Sequence, residues 1–237
     1  SAIVWGNLQI HPTIFFDYSH NGLTSYLDTY KNDLRLTSIN TGIGIIANYR
    51  IKRFYADLYV TGNYRYFNLN NKDTYIDTDK HRFVVEPHLT LKYDIDGTNE
   101  LRFNSSLSHS NPAIENLYDQ YILTSYRQLS VYENNELYQS QVQNYTLSYD
   151  YKNIVSMLFF GIDVSWTHNR PDVLYGSYYD GISERITSIK TNETMDVFSA
   201  KLRASKGFDW KRLKIGAECG YGYYDSPILL QNEIVRY

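Results

Sequence analysis

The sequence predicts an all-β fold, an antiparallel up-and-down meander of about nine to ten long strands forming part of a transmembrane outer-membrane β-barrel. Three observations predict it. Apolar and polar residues alternate with period 2 along the whole chain, the alternating stretches run about twice the length of ordinary strands, and the connections alternate short and long.

In chain order, the first stretch sets Leu8, Ile10, Pro12, Ile14, Phe16 and Tyr18 against Asn7, Gln9, His11, Thr13, Phe15 and Asp17. The second sets Thr41, Ile43, Ile45, Ala47, Tyr49 and Ile51 against Gly42, Gly44, Ile46, Asn48 and Arg50. In the third, Phe54 through Tyr66 alternate with a set that carries every charge, including Asp57 and Arg65. In the fourth, Phe83, Val85, Pro87, Leu89, Leu91, Tyr93 and Ile95 alternate with a polar set in which Val84 is the exception. The fifth, Leu101 to Leu107, is weaker. Four more follow, on Tyr145 to Tyr151, Leu158 to Trp166, Phe198 to Ala204 and Leu213 to Tyr223, with a tenth beginning near Pro227. Valine, isoleucine, tyrosine and phenylalanine suit a pleated, half-buried surface.

Short turns are expected at 52–53, 96–99, 152–153 and 209–211, and long polar segments at 20–33, 68–80, 111–139 and 168–193. That gives one tidy rim and one elaborate rim. Aromatics bracket the apolar stripes: Phe54, Tyr93, Tyr151, Phe208 and Trp210 near the short turns, Tyr18, Tyr64, Tyr66, Trp166, Tyr221 and Tyr223 near the long segments. From Phe54 to Tyr66 is roughly 40 Å of strand at ~3.3 Å per residue. A ~45° tilt makes that roughly 28 Å of height, close to the ~25 Å apolar band between aromatic girdles. A soluble sandwich also alternates, but it has no reason to place tyrosine in this way.

Composition narrows the classes further. Among 237 residues, 23 basic and 26 acidic side chains give −3, without the basic excess of a nucleic-acid binder. The single Cys219 lies on an apolar stripe and reads as a small hydrophobe; it excludes an intrachain disulfide framework. The longest nearly apolar run, 157–162, is far short of a membrane helix. No hydrophobic signal sequence opens the chain, so either it was removed or the chain does not start where the native polypeptide does.

One region is more specific. The stretch from Ser105 to Tyr121 reads SSLSHSNPAIENLYDQY, Asn144 then opens NYTLSYDY, and the following stretch ends on Asn169-Arg170-Pro171. This resembles the C-terminal barrel of TonB-dependent outer-membrane receptors of the Bacteroidetes type. The resemblance implies a 22-strand barrel, an N-terminal plug and contact with the TonB complex. The chain departs from it: it has room for nine or ten strands and no recognisable plug or energy-coupling box. The expectation is therefore one partial barrel domain over 1–237, a fragment whose partners are outer-membrane lipid, the remaining barrel with its plug, the TonB complex through the missing part, and a siderophore, glycan or peptide ligand.

The candidate ligand-binding residues lie in the long segments: Tyr118, Tyr121, Arg127, Tyr178, Tyr179 and Asp180. A tyrosine ring stacks while its hydroxyl bonds, which suits sugar or peptide; packing of loop on loop would use the same residues. The candidate lumen charges are Arg50, Asp57, Arg65, Glu86, Lys92, Lys201, Arg203 and Glu218. Asp73, Asp77 and Asp79 are acidic neighbours without the glycine and glutamate of a calcium loop, so no metal is assigned. No HExxH, GxSxG, Walker or GxGxxG motif is present, so neither cofactor nor catalytic residue is expected. The competing functions are a nutrient receptor, a small passive pore, an omptin-like surface protease using His168 and Asp180, and a soluble glycan-binding sandwich.

Overall fold

The computed structural model describes residues 3–125, 128–133, 136–209, 213–230 and 233–236. The strands are β1 (Ile3–Trp5), β2 (Leu8–Leu27), β3 (Tyr30–Ile51), β4 (Phe54–Asn71), β5 (Ile76–Asp94), β6 (Asn99–His109), β7 (Ile122–Ser125) and β8 (Gln128–Tyr132). They continue as β9 (Ser140–Asn153), β10 (Leu158–Pro171), β11 (Val173–Asp180), β12 (Ser183–Lys190), β13 (Met195–Phe208), β14 (Leu213–Asp225), β15 (Pro227–Leu230) and β16 (Glu233–Arg236). Ten of these form one antiparallel sheet in the order β1-β2-β3-β4-β5-β6-β9-β10-β13-β14. The all-β meander is thus the observed fold. The tenth strand of the sheet is β1, not the segment at Pro227, which pairs with β16 as a separate hairpin.

The register follows from the alternation. A slip of one residue would move every side chain to the opposite face. One continuous lane crosses nine strands: Gln9, Asn48, Asp57, Thr90, Asn104, Thr146, Ser165, Ser199, Gly222. Its members bond sideways, Asn48 to Asp57 at 2.8 Å, Thr90 to Asn104 at 2.9 Å and Ser165 to Ser199 at 2.7 Å. The adjacent lane points the other way and is apolar: Leu8, Tyr49, Ala56, Leu91, Phe103, Leu147, Val164, Ala200, Tyr221. The face with the polar lane is called inner here, because the connection from β6 to β9 folds over it.

The apolar face is open. Ile14 is 85% exposed, Ile43 68% and Phe83 66%, and Leu58, Val85, Leu101, Leu147, Leu202, Ile215 and Tyr221 are exposed on the same side. Burial lies on the inner face, near the elaborate rim. There Leu34, Leu36, Phe67 and Leu69 pack with Ile114, Leu117, Tyr118 and Leu137 of the 110–139 connection, with Leu23, Ile122 and Tyr132 against them. Complete burial of a leucine stabilises by about 1.5–3 kcal/mol, and Leu34 and Leu69 have no exposed surface.

This core requires the amphipathic pattern to reverse along single strands. On β4, Tyr64 and Tyr66 point outward and Arg65 inward; one step further, Phe67 and Leu69 point inward and Asn68 and Asn70 outward. On β3, Leu34 and Leu36 share the inner face with Asn48 and Arg50, whereas Ile43 and Ile45 point outward. Beyond the reversal the outer face is polar: His20 bonds Thr37 at 3.0 Å, and Asn68 bonds Asp77 at 2.9 Å.

The reversal corrects two expected loops. Segments 20–33 and 68–80 continue the strands and are joined by tight turns at 28–29 and 72–75. Their polar residues face water on the outer side while the backbone ladder runs on. The other two long segments contain strands of their own. β11-β12-β8-β7 form a four-stranded sheet at that rim, in which β12 and β8 are parallel, and Leu229 of β15 packs against β11 at Gly176. At the opposite rim the turns are short. In the turn 95–98, Asp96 accepts hydrogen bonds from Asn99 and Thr98, which hold its carboxyl down to about 2, and Gly97 takes φ +79. Trp210, expected at that rim, lies outside the described residues.

Candidate ligand cleft at the rim

Two polar constructions position the rim. The first is a buried knot on the inner face. Arg65 donates two 2.8 Å hydrogen bonds to the Glu86 carboxylate, with side chains only 7% and 12% exposed. Asn63 Nδ2 and the backbone N–H of His109 also donate to Glu86, each at 2.7 Å, and Arg65 Nη1 donates to the His109 carbonyl at 2.9 Å and to Asn111 Oδ1 at 3.2 Å. The knot fixes the point where the 110–139 connection leaves the sheet. The far end of that connection is held by Lys80, which donates to the Leu137 carbonyl at 2.7 Å, and by Asp172, which accepts from Arg82 and from the Gln139 N–H.

The second is the rim sheet. Tyr118, Tyr132 and Tyr175 form an edge-to-face chain with centroids 5.0 and 5.7 Å apart. Burial pushes all three phenols up, Tyr175 to about 12. Glu184 accepts from Gln128 Nε2 at 2.6 Å, Ser130 Oγ at 3.0 Å and Tyr179 OH at 2.9 Å. Hydrogen bonds from Ser177, Tyr179, Ser130 and Gln128 hold that carboxyl below the usual range. Arg236 ties the β15–β16 hairpin to Glu193 at 2.6 Å and Asp225 at 3.1 Å.

Between β11–β12 and β15 lies a cleft of about 700 Å³ lined by Glu133, Gly176, Ser177, Tyr178, Tyr179, Arg185, Thr187, Leu229 and Leu230. Gly176 is needed for this approach, because a Cβ there would stand 2.8 Å from Leu229 Cγ and 2.9 Å from its carbonyl oxygen. The two-residue turn joining β11 to β12 contains Gly181 at φ +62.

The structure separates the six candidate ligand residues. Tyr178 and Tyr179 are exposed and line the cleft. Asp180, at the hairpin tip, is not among the lining residues, but its charge reaches Arg185. Tyr121 contacts the Tyr30 ring at 5.1 Å, and its hydroxyl accepts from Arg185 Nε at 3.2 Å. Tyr118 is buried in the core among leucines and is not part of the cleft lining. Arg127 lies outside the described residues. Arg185, Glu133, Leu229 and Leu230 were missed. Asp180-Gly181 between two alternating stretches was the available signal for the hairpin that carries Arg185.

The eight candidate lumen charges all stand on the inner face by register. Arg50, Tyr55, Lys92, Arg102, Ser148, Asp163 and Lys201 form one lane, with Tyr55 between the Arg50 and Lys92 cations. Arg203 bonds Asp163 at 3.0 Å and Asp150 at 3.5 Å, and Lys201 bonds Glu218 at 2.6 Å. His168 is not near Asp180 in any paired position; it bonds Asp196 at 2.8 Å. Among the described residues no three His, Cys, Asp or Glu side chains cluster as a metal site, Asp73, Asp77 and Asp79 included. No protein-family model matches the chain, and no curated protein matches it.

Proposed function

We propose that this chain is an outer-membrane β-barrel segment of a TonB-dependent receptor that imports a nutrient across the bacterial outer membrane. The observation that carries the membrane reading is the reversal of amphipathicity at Tyr18, Ile39 and Tyr66. A soluble sheet buries one apolar face along its whole length. Here the apolar face is outward below that level and inward above it. Lipid outside a polar interior, giving way to water outside an apolar core, accounts for both halves. An apolar face this large and uncovered marks a membrane or protein contact in any case.

The receptor reading, rather than a small pore, is favoured by the sheet edges. Among the described residues β1 and β14 have no partner on their outer sides. Hydrocarbon requires each backbone group to be bonded, so a barrel built on this sheet needs further strands. The elaborate rim, folded partly onto the inner face, fits ligand capture above a lumen.

The test is fractionation of the source cells, with the intact mass of the protein measured in each fraction. A band in the outer membrane several times heavier than 27.8 kDa is expected. A band near that mass would replace the receptor by a small pore or surface enzyme. Recovery only in the soluble fraction would end the barrel reading.

A further inference from the structure

We infer that the rim cleft binds a short peptide through its free carboxylate, with Arg185 as the anchor. The biological use of this binding rests on the receptor reading above, in which the peptide would be the cargo or its leading end. The chemistry rests on the cleft itself.

Arg185 sits on the cleft wall in a defined pose, because Nε donates to the Tyr121 hydroxyl. Among the described residues no carboxylate forms an ion pair with it. The adjacent Glu184 is already occupied by Gln128, Ser130 and Tyr179. A tethered guanidinium whose terminal nitrogens have no hydrogen-bond partner among the described residues matches a carboxylate in two-point geometry. The opposite charge is also present, since Glu133 lines the same cleft and is exposed. Leu230 and Tyr178, both exposed, supply apolar surface in the same cleft.

These three features together choose the ligand class. A neutral glycan would offer no charge to either Arg185 or Glu133, which otherwise, among the described residues, face only each other and Asp180 across the cleft. An acidic glycan would satisfy Arg185 but leave Glu133 and Leu230 unused. A peptide carries a carboxylate, an ammonium or basic side chain, and apolar side chains at this scale, and a volume of about 700 Å³ falls in the range of small-ligand sites.

The test uses the full native protein purified in detergent, titrated calorimetrically with three probes. These are a mixture of tri- to pentapeptides with free C-termini, the same mixture amidated at the C-terminus, and oligomers of a hexuronic acid. Binding of the free-acid peptides is expected, with amidation and Arg185→Gln each weakening it at least about tenfold. Arg185→Lys should recover part of the loss. Leu230→Asp, at an exposed position outside the core, should also weaken binding, and unchanged thermal unfolding of both variants checks that they fold. Equal binding of free and amidated peptides, full affinity in Arg185→Gln, or binding of the hexuronate oligomers alone would each overturn the proposal. Fractionation separates the two readings. An outer-membrane protein that ignores peptides loses only the ligand class, whereas a soluble protein that binds them loses only the receptor.

Discussion

The two halves of the sheet differ in how far their strands run past the reversal. β2 to β5 have 20, 22, 18 and 19 residues, while β9, β10, β13 and β14 have 14, 14, 14 and 13. Across the shared height the halves are alike, joined lane to lane. Above it the first half continues as a wall of paired strands that buries leucines against the 110–139 connection, and the second half ends and lets the chain build β11 and β12. The first half is therefore scaffold at the rim and the second half carries the exposed cleft. The buried core thus rests on strands of the ten-strand meander, and the cleft on the smaller sheets that the second half of the chain adds at the rim.

The sharpest break of this comparison is Arg65→Ala. It leaves Glu86 buried without its cation and should cost about 3–5 kcal/mol. Thermal unfolding in detergent measures it, and limited proteolysis should show cuts within 110–139 first. If the cuts fall in 172–194 instead, the knot does not hold that connection. The paired change Arg65→Met with Glu86→Leu should cost much less, because no buried charge remains.

A second test compares two outward positions on neighbouring strands, one on each side of the reversal. Ile45→Arg, in the apolar band, should destabilise a bilayer-inserted protein by about 2–4 kcal/mol. Asn70→Arg, above it and beside Asp77, should stay within about 0.5 kcal/mol. Equal small effects at both positions would remove the lipid boundary from this sheet.

The smallest effect concerns the rim alone. Burial raises the Tyr175 phenol from an ordinary value near 10 to about 12. Its contribution to stability is fully present below pH 10 and is lost as pH climbs to about 12. Ultraviolet titration of tyrosinate should show a late component that Tyr175→Phe removes, with the ten-strand sheet unaffected.

Much of the sheet was legible because one rule governs it: apolar side chains on one side, polar groups on the other, at period 2. Even Val84, the lone apolar residue in a polar set, proves to be buried on the inner face opposite Asn63. The strand ends were not legible. At Phe67 and Leu69 the pattern keeps its period but changes phase, and a reading that follows one stripe takes the change as a stop. The candidate site was legible only in part. Tyr178 and Tyr179 stand out by type, but Tyr118 has the same type and is packed away, and nothing local distinguishes them. Arg185 faces the cleft only because β15, distant in sequence, crosses Gly176.

The parallel pairing of β12 with β8 has a consequence for the order of events during biogenesis. Ser183 to Ile186 cannot meet Leu129 to Tyr132 until β9 and β10, which lie between them in the chain, have brought the two connections to the same side. Closing that long loop is slow compared with zipping neighbouring hairpins. The ten-strand sheet is therefore expected to assemble hairpin by hairpin, with the rim sheet closing afterwards.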